Sequence, residues 1–262
     1  MYFAAKIIME QHTCVNCGNT YHDLFCNHCG QKQQHRYSVK HILHELLHVF
    51  THADKGIFSF AWQLLTRPGH IAQDLVAGKR KKYFNLFQYL IIIVGLATLV
   101  VTKTNLMEHT VESVNEMSGM KISGKIAQMQ KDLVDILQKY FNILQLLLIP
   151  VYTLFSWLYF KKRGYNYAEH IVLNSTISAQ LNTLTIANIL LFAVLNPNKF
   201  SFWYGLISVI ILLFCFIVAY RQFFKLSLVK AVLYTLAIYI SAYIVQLVLI
   251  TFSFFIYVMI KR

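Results

Sequence analysis

Charged residues are scarce in this chain of 262 residues, at 13% of the sequence. An ordinary soluble domain carries about 25%, so the deficit argues against a soluble globular protein and indicates a membrane protein. Acidic residues are especially few, with 11 Asp and Glu against 24 Lys and Arg. The formal charge of +13 could suggest nucleic-acid binding, but the basic residues cluster beside apolar runs. That pattern is typical of positive-inside topology, so membrane lipids rather than nucleic acid are the expected partners.

Two further signals are lacking. The apolar stretch within residues 1–12 is too short for a cleavable signal peptide, and no internal repeat of the kind found in many secondary transporters is evident. The apolar runs that are present predict membrane spans, each near the roughly 20 residues needed to cross hydrocarbon. The predicted spans are about 84–102, 141–160, 169–195, 201–220 and 230–259.

Four of the five cysteines form two C-x-x-C-G frames close to the amino terminus. They are Cys14, Cys17, Cys26 and Cys29. Four thiolates suit a tetrahedral zinc ion, and a closed shell of four ligands leaves no position for a substrate. The paired spacing favours a metal site in a reducing compartment over a disulfide framework. We therefore predict a structural Zn²⁺ that folds a short zinc ribbon, whose surface docks a protein partner.

Residues 44–48, HELLH, match the H-E-x-x-H motif of zinc metalloproteases. On a helix, His44 and His48 could share a metal with His52 as a third ligand and Glu45 as the general base. The same helix has a clean apolar face opposite this stripe, which accounts for the pattern without catalysis. The long metzincin spacing to a third histidine is also absent. We therefore expect no catalytic residue, with a second metal site at these histidines as the alternative.

Two other groups of polar residues have competing interpretations. The basic segment before the first span is explained by anchoring to anionic lipids, and the alternative is capture of a lipid phosphate by Arg67, Lys79 and Arg80. The predicted third span contains Glu169, His170, Asn174 and Asn182. Polar side chains in hydrocarbon are unfavourable, so this helix should face protein or water. Interhelical hydrogen bonding is the commoner role of such residues, and lining of a pathway or headgroup pocket is the alternative.

Charge distribution predicts the side of the membrane for each segment. Residues 1–82 carry ten Lys and Arg, whereas residues 103–139 carry five Lys and five acidic residues. We therefore place the amino-terminal segment in the cytoplasm. The predicted domains are a zinc ribbon at 13–31, cytoplasmic amphipathic helices at 32–82, and a transmembrane bundle at 83–262 with an extracytoplasmic loop at 103–139.

The predicted fold class is an all-α integral membrane protein. About five transmembrane helices follow the small zinc ribbon and a set of interfacial amphipathic helices, at roughly 38–52, 57–66 and 70–77. The expected location is the cell inner membrane, with multiple passes and a cytoplasmic amino terminus.

Five motifs follow one another along the chain: CVNCG…FCNHCGQ, HELLHVFTHADKG, RPG, GKRKKYFN and YNYAEHIVLN. In this succession the chain resembles an uncharacterised family of bacterial multi-pass membrane proteins with an amino-terminal zinc ribbon, catalogued as a domain of unknown function. The resemblance covers most of the chain and is most specific at residues 14–85 and 165–174. Family members commonly carry proline where Leu86 stands. The resemblance implies zinc at the four paired cysteines and a cytoplasmic-membrane location, and it implies no activity.

These observations favour a non-enzymatic adaptor, assembly or export-related factor of the inner membrane. Two alternatives stay open. The first is a metal-dependent membrane hydrolase that uses the HELLH motif and would bind two zinc ions per chain. The second is a lipid or small-solute transporter lined by the third span.

Overall fold

A computed structural model describes residues 11–33, 36–40, 42, 56–119, 124–195 and 202–260. Within these residues the protein is mainly helical, and the amino-terminal part contains one short antiparallel hairpin and an isolated β-bridge between Phe25 and Lys32. The elements are β1 (His12–Thr13), β2 (Thr20–Tyr21), α1 (Ile57–Thr66), α2 (Pro68–Val76), α3 (Leu86–Lys103), α4 (Leu106–Ser118), α5 (Lys125–Lys139), α6 (Phe141–Phe160), α7 (Tyr167–Leu195), α8 (Phe202–Phe224) and α9 (Leu228–Ile260).

The predicted class of all-α membrane protein is confirmed. Among the described residues, four helical segments are long and apolar enough to cross a membrane. They are Leu86–Lys103, Phe141–Arg163, Tyr204–Phe224 and Leu228–Val248, within or at the ends of α3, α6, α8 and α9. The predicted third span corresponds to α7, a helix of 29 residues. It is not among these four segments, and it carries several amide and hydroxyl side chains.

Helix α7 lies at the centre of the bundle, where it packs against α1, α2, α3, α6 and α8. The helices α6, α7, α8 and α9 form a ring in which each packs against two neighbours. One end of this ring is filled by aromatic side chains, with Phe160 stacked on Phe224 at a centroid distance of 3.9 Å and Tyr220 edge-on to Phe160. The apolar neighbours cover α7 and allow a polar helix to occupy the interior.

Helix α1 has two apolar faces with different surroundings. Phe60 and Leu64, one turn apart, are buried, and the Phe60 ring contacts the ring of Tyr89 edge-on at 5.1 Å. On the other face, Phe58 and Trp62 are 88% and 69% exposed. Exposed aromatic rings of this kind favour the headgroup region of a bilayer, which is the location expected for the interfacial helices.

The boundaries of α1 coincide with the predicted helix at 57–66, whereas α2 begins at Pro68 rather than at residue 70. Proline is favoured in the first turn of a helix because its missing N–H is not needed there. The predicted helix at 38–52 lies largely outside the described residues. Residues 103–139, expected as an extracytoplasmic loop, contain α4 and α5, and their side of the membrane stays a prediction.

The first apolar span, α3, begins at Leu86, the position where members of the family that the chain resembles commonly have proline. Asn85 caps α3, because its side-chain oxygen accepts hydrogen bonds from the backbone N–H groups of Phe87 and Gln88 at 3.0 and 3.1 Å. An asparagine cap satisfies donors that have no partner within the helix. Leu86 is therefore a suitable first residue for this helix.

Helix α2 approaches α8 more closely than a side chain would permit. A Cβ atom on Gly69 would lie 2.4 Å from the carbonyl oxygen of Ala219 and 2.7 Å from the backbone nitrogen of Phe223. At this contact the Gly69 N–H donates to Gln222 Oε1 at 3.0 Å, and Gln73 Nε2 donates to the Phe223 carbonyl at 2.6 Å. Glycine therefore allows the backbones of α2 and α8 to meet.

Candidate metal centre and its contacts with the bundle

The four paired cysteines converge on one point. Their sulfur atoms all lie within 4.8 Å of one another, and the Cys14–Cys29 and Cys17–Cys26 sulfur distances are both 3.6 Å. A zinc ion bound at about 2.3 Å by four thiolates sets its sulfurs about 3.8 Å apart. The described residues therefore contain a four-cysteine cluster whose donor set and spacing fit a tetrahedral metal ion.

Two equivalent turns bring the cysteines together. Gly18 and Gly30 have positive φ angles of 76° and 69°, a conformation that glycine adopts without strain. Their N–H groups donate to the carbonyls of Cys14 and Cys26, both at 2.8 Å. Each C-x-x-C-G frame thus closes its own turn, and the first frame forms the connection between β1 and β2.

The surroundings of the sulfurs differ in their effect on ionisation. Burial acts to raise the pKa of Cys26, but hydrogen bonds from the backbone N–H groups of Cys29 and His28 outweigh it and lower that pKa to about 6. At Cys17 the backbone N–H of Asn19 favours the thiolate, but desolvation and the adjacent thiols raise the pKa to about 12. Neighbouring thiolates oppose one another's ionisation, so a bound cation is needed for all four to ionise.

The cysteine module is attached to the basic loop that precedes α3. The buried side chain of Gln31 accepts a hydrogen bond from the Lys81 N–H through Oε1 at 2.8 Å. Beyond the module, the guanidinium of Arg80 lies 3.7 Å above the ring of Tyr37. A cation over an aromatic face is a favourable contact. These contacts hold the module against the membrane domain.

A second contact joins the segment that follows the cysteine module to the first turn of α7. Arg36 contacts Glu169 through two hydrogen bonds, with Nη2 and Oε2 separated by 2.7 Å. The hydrogen bond to Glu169 raises the pKa of Arg36 above its already high value. Glu169 Oε2 also accepts from the Asn166 N–H at 2.7 Å, and Asn166 Oδ1 accepts from the Glu169 N–H at 2.9 Å. This reciprocal pair is a capping box.

Sequence reasoning did not identify Arg36 as a functional residue. The sequence does indicate that Glu169 is held in place, because the N-x-x-E pattern at 166–169 predicts a helix start with a fixed carboxylate. Nothing near Arg36 in the sequence indicates that this carboxylate, 133 residues away, is its partner.

Replacing Arg36 with glutamine is expected to loosen this attachment. The buried carboxylate of Glu169 would lose its charged donor, and because the Arg36 side chain is 59% exposed the loss of stability should be modest. Hydrogen exchange should accelerate at Tyr37 and in the first turn of α7. Arg163→Gln, a change at an exposed arginine in the preceding loop, is the control. Equal exchange in the two variants would contradict the assignment.

The proposed phosphate ligands each contact a different part of the protein. Arg67 Nη2 donates to Gln63 Oε1 at 2.7 Å, and Lys79 forms an ion pair with Asp74 at 3.1 Å. Arg80 lies over Tyr37, as described above. Burial acts to raise the pKa of Asp74. Hydrogen bonds from Tyr83 and Lys79, together with the charges of Lys79 and Lys82, outweigh that effect, so the pKa of Asp74 is lowered. Lipid-phosphate binding by Arg67, Lys79 and Arg80 stays a prediction.

The polar residues predicted for the third span are buried in the bundle. They are Glu169, His170, Asn174 and Asn182. Ser156 Oγ lies 3.0 Å from His170 Nδ1 and accepts from Asn174 Nδ2 at 2.9 Å. Tyr220 donates to Asn174 Oδ1 at 3.1 Å. Three of the four residues therefore take part in hydrogen bonds with other elements, and Asn182 borders a cavity described below.

The HELLH residues are not part of this description. The residues of this motif and the third histidine lie outside the described residues; they are His44, Glu45, His48 and His52. The second metal site and the hydrolase alternative therefore stay predictions. Across the part of the chain that the structure describes, the cysteine cluster is the only group of three or more metal-ligating side chains found together.

Comparison with known proteins identifies one region of similarity. Residues 54–98 match the family model described as "Protein of unknown function (DUF3667)". This region contains α1, α2, the basic loop and most of α3. No curated protein and no solved structure matches the chain. The resemblance to a family of unknown function is thus confirmed in part, since the chain contains a DUF3667 domain at residues 54–98.

Proposed function

We propose that this protein is a non-enzymatic adaptor of the inner membrane. A structural Zn²⁺ held by the four cysteines folds a ribbon on the cytoplasmic side, and the ribbon binds a protein partner next to the bilayer. A closed shell of four thiolates serves structure rather than catalysis. The helical bundle anchors this module, and the partner assembles with the protein or is exported with its help.

The main support is the apolar surface of the cysteine module. Leu24, Phe25 and Val15 are 67%, 54% and 51% exposed, although the module buries little besides Cys14, Tyr21 and Cys26. Leu24 and Phe25 are adjacent. Phe25 forms an antiparallel β-bridge with Lys32, and the Gln33 N–H donates to the Leu24 carbonyl at 2.8 Å. Aromatic and large aliphatic side chains on a rigid support are typical anchors of protein interfaces.

The attachment of the module supports an adaptor role for a second reason. Gln31, at its carboxyl-terminal end, and Arg36, in the segment that follows, contact two different parts of the helical bundle. A surface that is fixed before binding loses less conformational freedom when a partner arrives. The exposed pair Leu24–Phe25 is therefore presented in a defined position.

The cytoplasmic location is supported by the basic residues at one end of the bundle. The start of α3, the end of α6 and the end of α8 each adjoin a basic segment. These segments are 79–82, 161–163 and 221–225. Positive residues beside several helix ends on one side favour the cytoplasmic face. The ribbon contacts the first of these segments, so it shares that side.

Mutation of the apolar pair tests the proposal. The full chain is expressed in its native membrane and cross-linked, and co-purified proteins are compared between wild type and Leu24→Ser/Phe25→Ser. We expect at least one specific partner to be lost from the double variant, and likewise from Cys14→Ser. Val39→Ser, a change at an exposed residue outside the module, should retain that partner. Identical partner sets in all four proteins would defeat the adaptor proposal.

A further inference from the structure

A cavity lies inside the helical ring, between α6, α7 and α8. Its volume is about 220 Å³, and most of its wall is apolar, with Ile177, Leu212 and Phe216 among the lining residues. An apolar cavity of about 150 Å³ is large enough to take up benzene. This cavity therefore has room for a ring-sized molecule with a substituent.

Two buried polar atoms in the wall lack hydrogen-bond partners. Asn182 is 3% exposed, and its Nδ2 donates to the Ser178 carbonyl at 2.9 Å. That bond fixes the amide orientation and leaves Oδ1 as the atom without a partner. Gln145, on α6, also lines the cavity with a buried and unpartnered Oε1. Buried acceptors are nearly always satisfied in proteins, so these two oxygens are positions to which a bound molecule, or water, can donate a hydrogen bond.

One further amide side chain on the cavity differs from this pair. Asn174 also borders the cavity, but its Nδ2 donates to Ser156 Oγ and its Oδ1 accepts from Tyr220. The residue is thus already satisfied by the bundle. The two free acceptors are carbonyl oxygens, and such atoms recognise O–H or N–H groups and not other acceptors.

We propose that this cavity binds a small, ring-sized apolar molecule that carries a hydroxyl or N–H donor. The apolar wall holds the ring and the Asn182 side-chain oxygen accepts the donor hydrogen, while the Gln145 oxygen is the acceptor for a second donor hydrogen where the molecule carries one. Ligand sites of this kind combine apolar walls with a few placed polar groups. The site is separate from the cysteine module, and it does not depend on the adaptor proposal.

Phenol and toluene test this assignment, because they have similar shapes but only phenol carries a donor. Saturable binding to the purified, metal-loaded full chain is measured by equilibrium dialysis at matched free concentrations. We expect one phenol per chain, with toluene bound about tenfold more weakly. Asn182→Leu should remove most of the preference for phenol.

The matched control is Asn188→Leu. Asn188 is also a buried asparagine of α7, and its Nδ2 donates to Ser208 Oγ at 3.2 Å, but it does not line the cavity. This variant should keep the preference for phenol. If Asn182→Leu does not fold, the comparison of the two probes on the wild-type protein still decides. Equal affinity for phenol and toluene, or no saturable binding because water fills the cavity, would overturn the proposal.

Discussion

Removal of the metal is expected to unfold the cysteine module and leave the helical bundle folded. The module buries few apolar side chains of its own, so we expect its stability to come mainly from the proposed metal. Binding of a structural zinc ion contributes roughly 10–16 kcal/mol in isolated zinc-finger peptides. Amide protection in β1 and β2 should therefore be lost on chelation, whereas α3 and α6–α9 should retain theirs.

Metal analysis of the purified protein provides the quantitative form of this test. We expect one zinc equivalent per chain, lost in Cys26→Ser. Cys215→Ser is the matched control, because Cys215 is buried in α8 apart from the cluster. Zinc retained by Cys26→Ser would contradict the assignment of the four cysteines. Two equivalents in the wild type, one of them surviving in Cys26→Ser, would support a second site at the HELLH motif in addition to the cysteine cluster.

Gly69→Ala is expected to separate α2 from α8. The added methyl group would meet backbone atoms of Ala219 and Phe223 at distances that no real contact shows. Overpacking of this kind costs about 1–3 kcal/mol. The displacement would also strain the hydrogen bonds that Gly69 and Gln73 make with α8, each worth about 1 kcal/mol. We therefore expect a total destabilisation of about 3 kcal/mol.

Thermal unfolding of the purified protein measures this effect, and Gly95→Ala supplies the control. Gly95 lies inside α3, and a Cβ placed there would meet nothing within 4 Å. Alanine should improve helix propensity at that position by about 1 kcal/mol. The two substitutions are chemically identical, so only the packing differs. Equal midpoints for the two variants would show that the close approach of α2 and α8 does not limit stability.

The local features of this protein were predictable because they depend on neighbouring residues. The apolar runs predicted five helices, and α3, α6, α7, α8 and α9 begin and end within a few residues of them. The predicted metal ligands lie in two short frames whose glycines close identical turns. In both cases the determining interactions are short-range, since backbone hydrogen bonds define a helix and each C-x-x-C-G turn places its own two sulfurs.

Contacts between distant segments could not be predicted in this way. The sequence indicated that α7 should avoid lipid, but nothing in it paired Glu169 with Arg36 or Gln31 with the backbone of Lys81. Gly69 was part of a recognised RPG motif, yet its contact with Gln222, 153 residues later, depends on how α2 crosses α8. Similarly, Asn182 was a predicted polar residue, while its free oxygen beside a cavity depends on how α6 and α8 pack around α7.

The sequence by itself therefore determined the membrane-spanning helices, the zinc-type cysteine frames and the polar character of α7. Only the tertiary structure decided where the cysteine module is attached, which backbones meet at Gly69, and which polar atoms of α7 are left without a partner. The physical reason is that hydropathy and short-range spacing act along the chain. Packing and the satisfaction of buried polar groups instead depend on which side chains of distant helices are brought together.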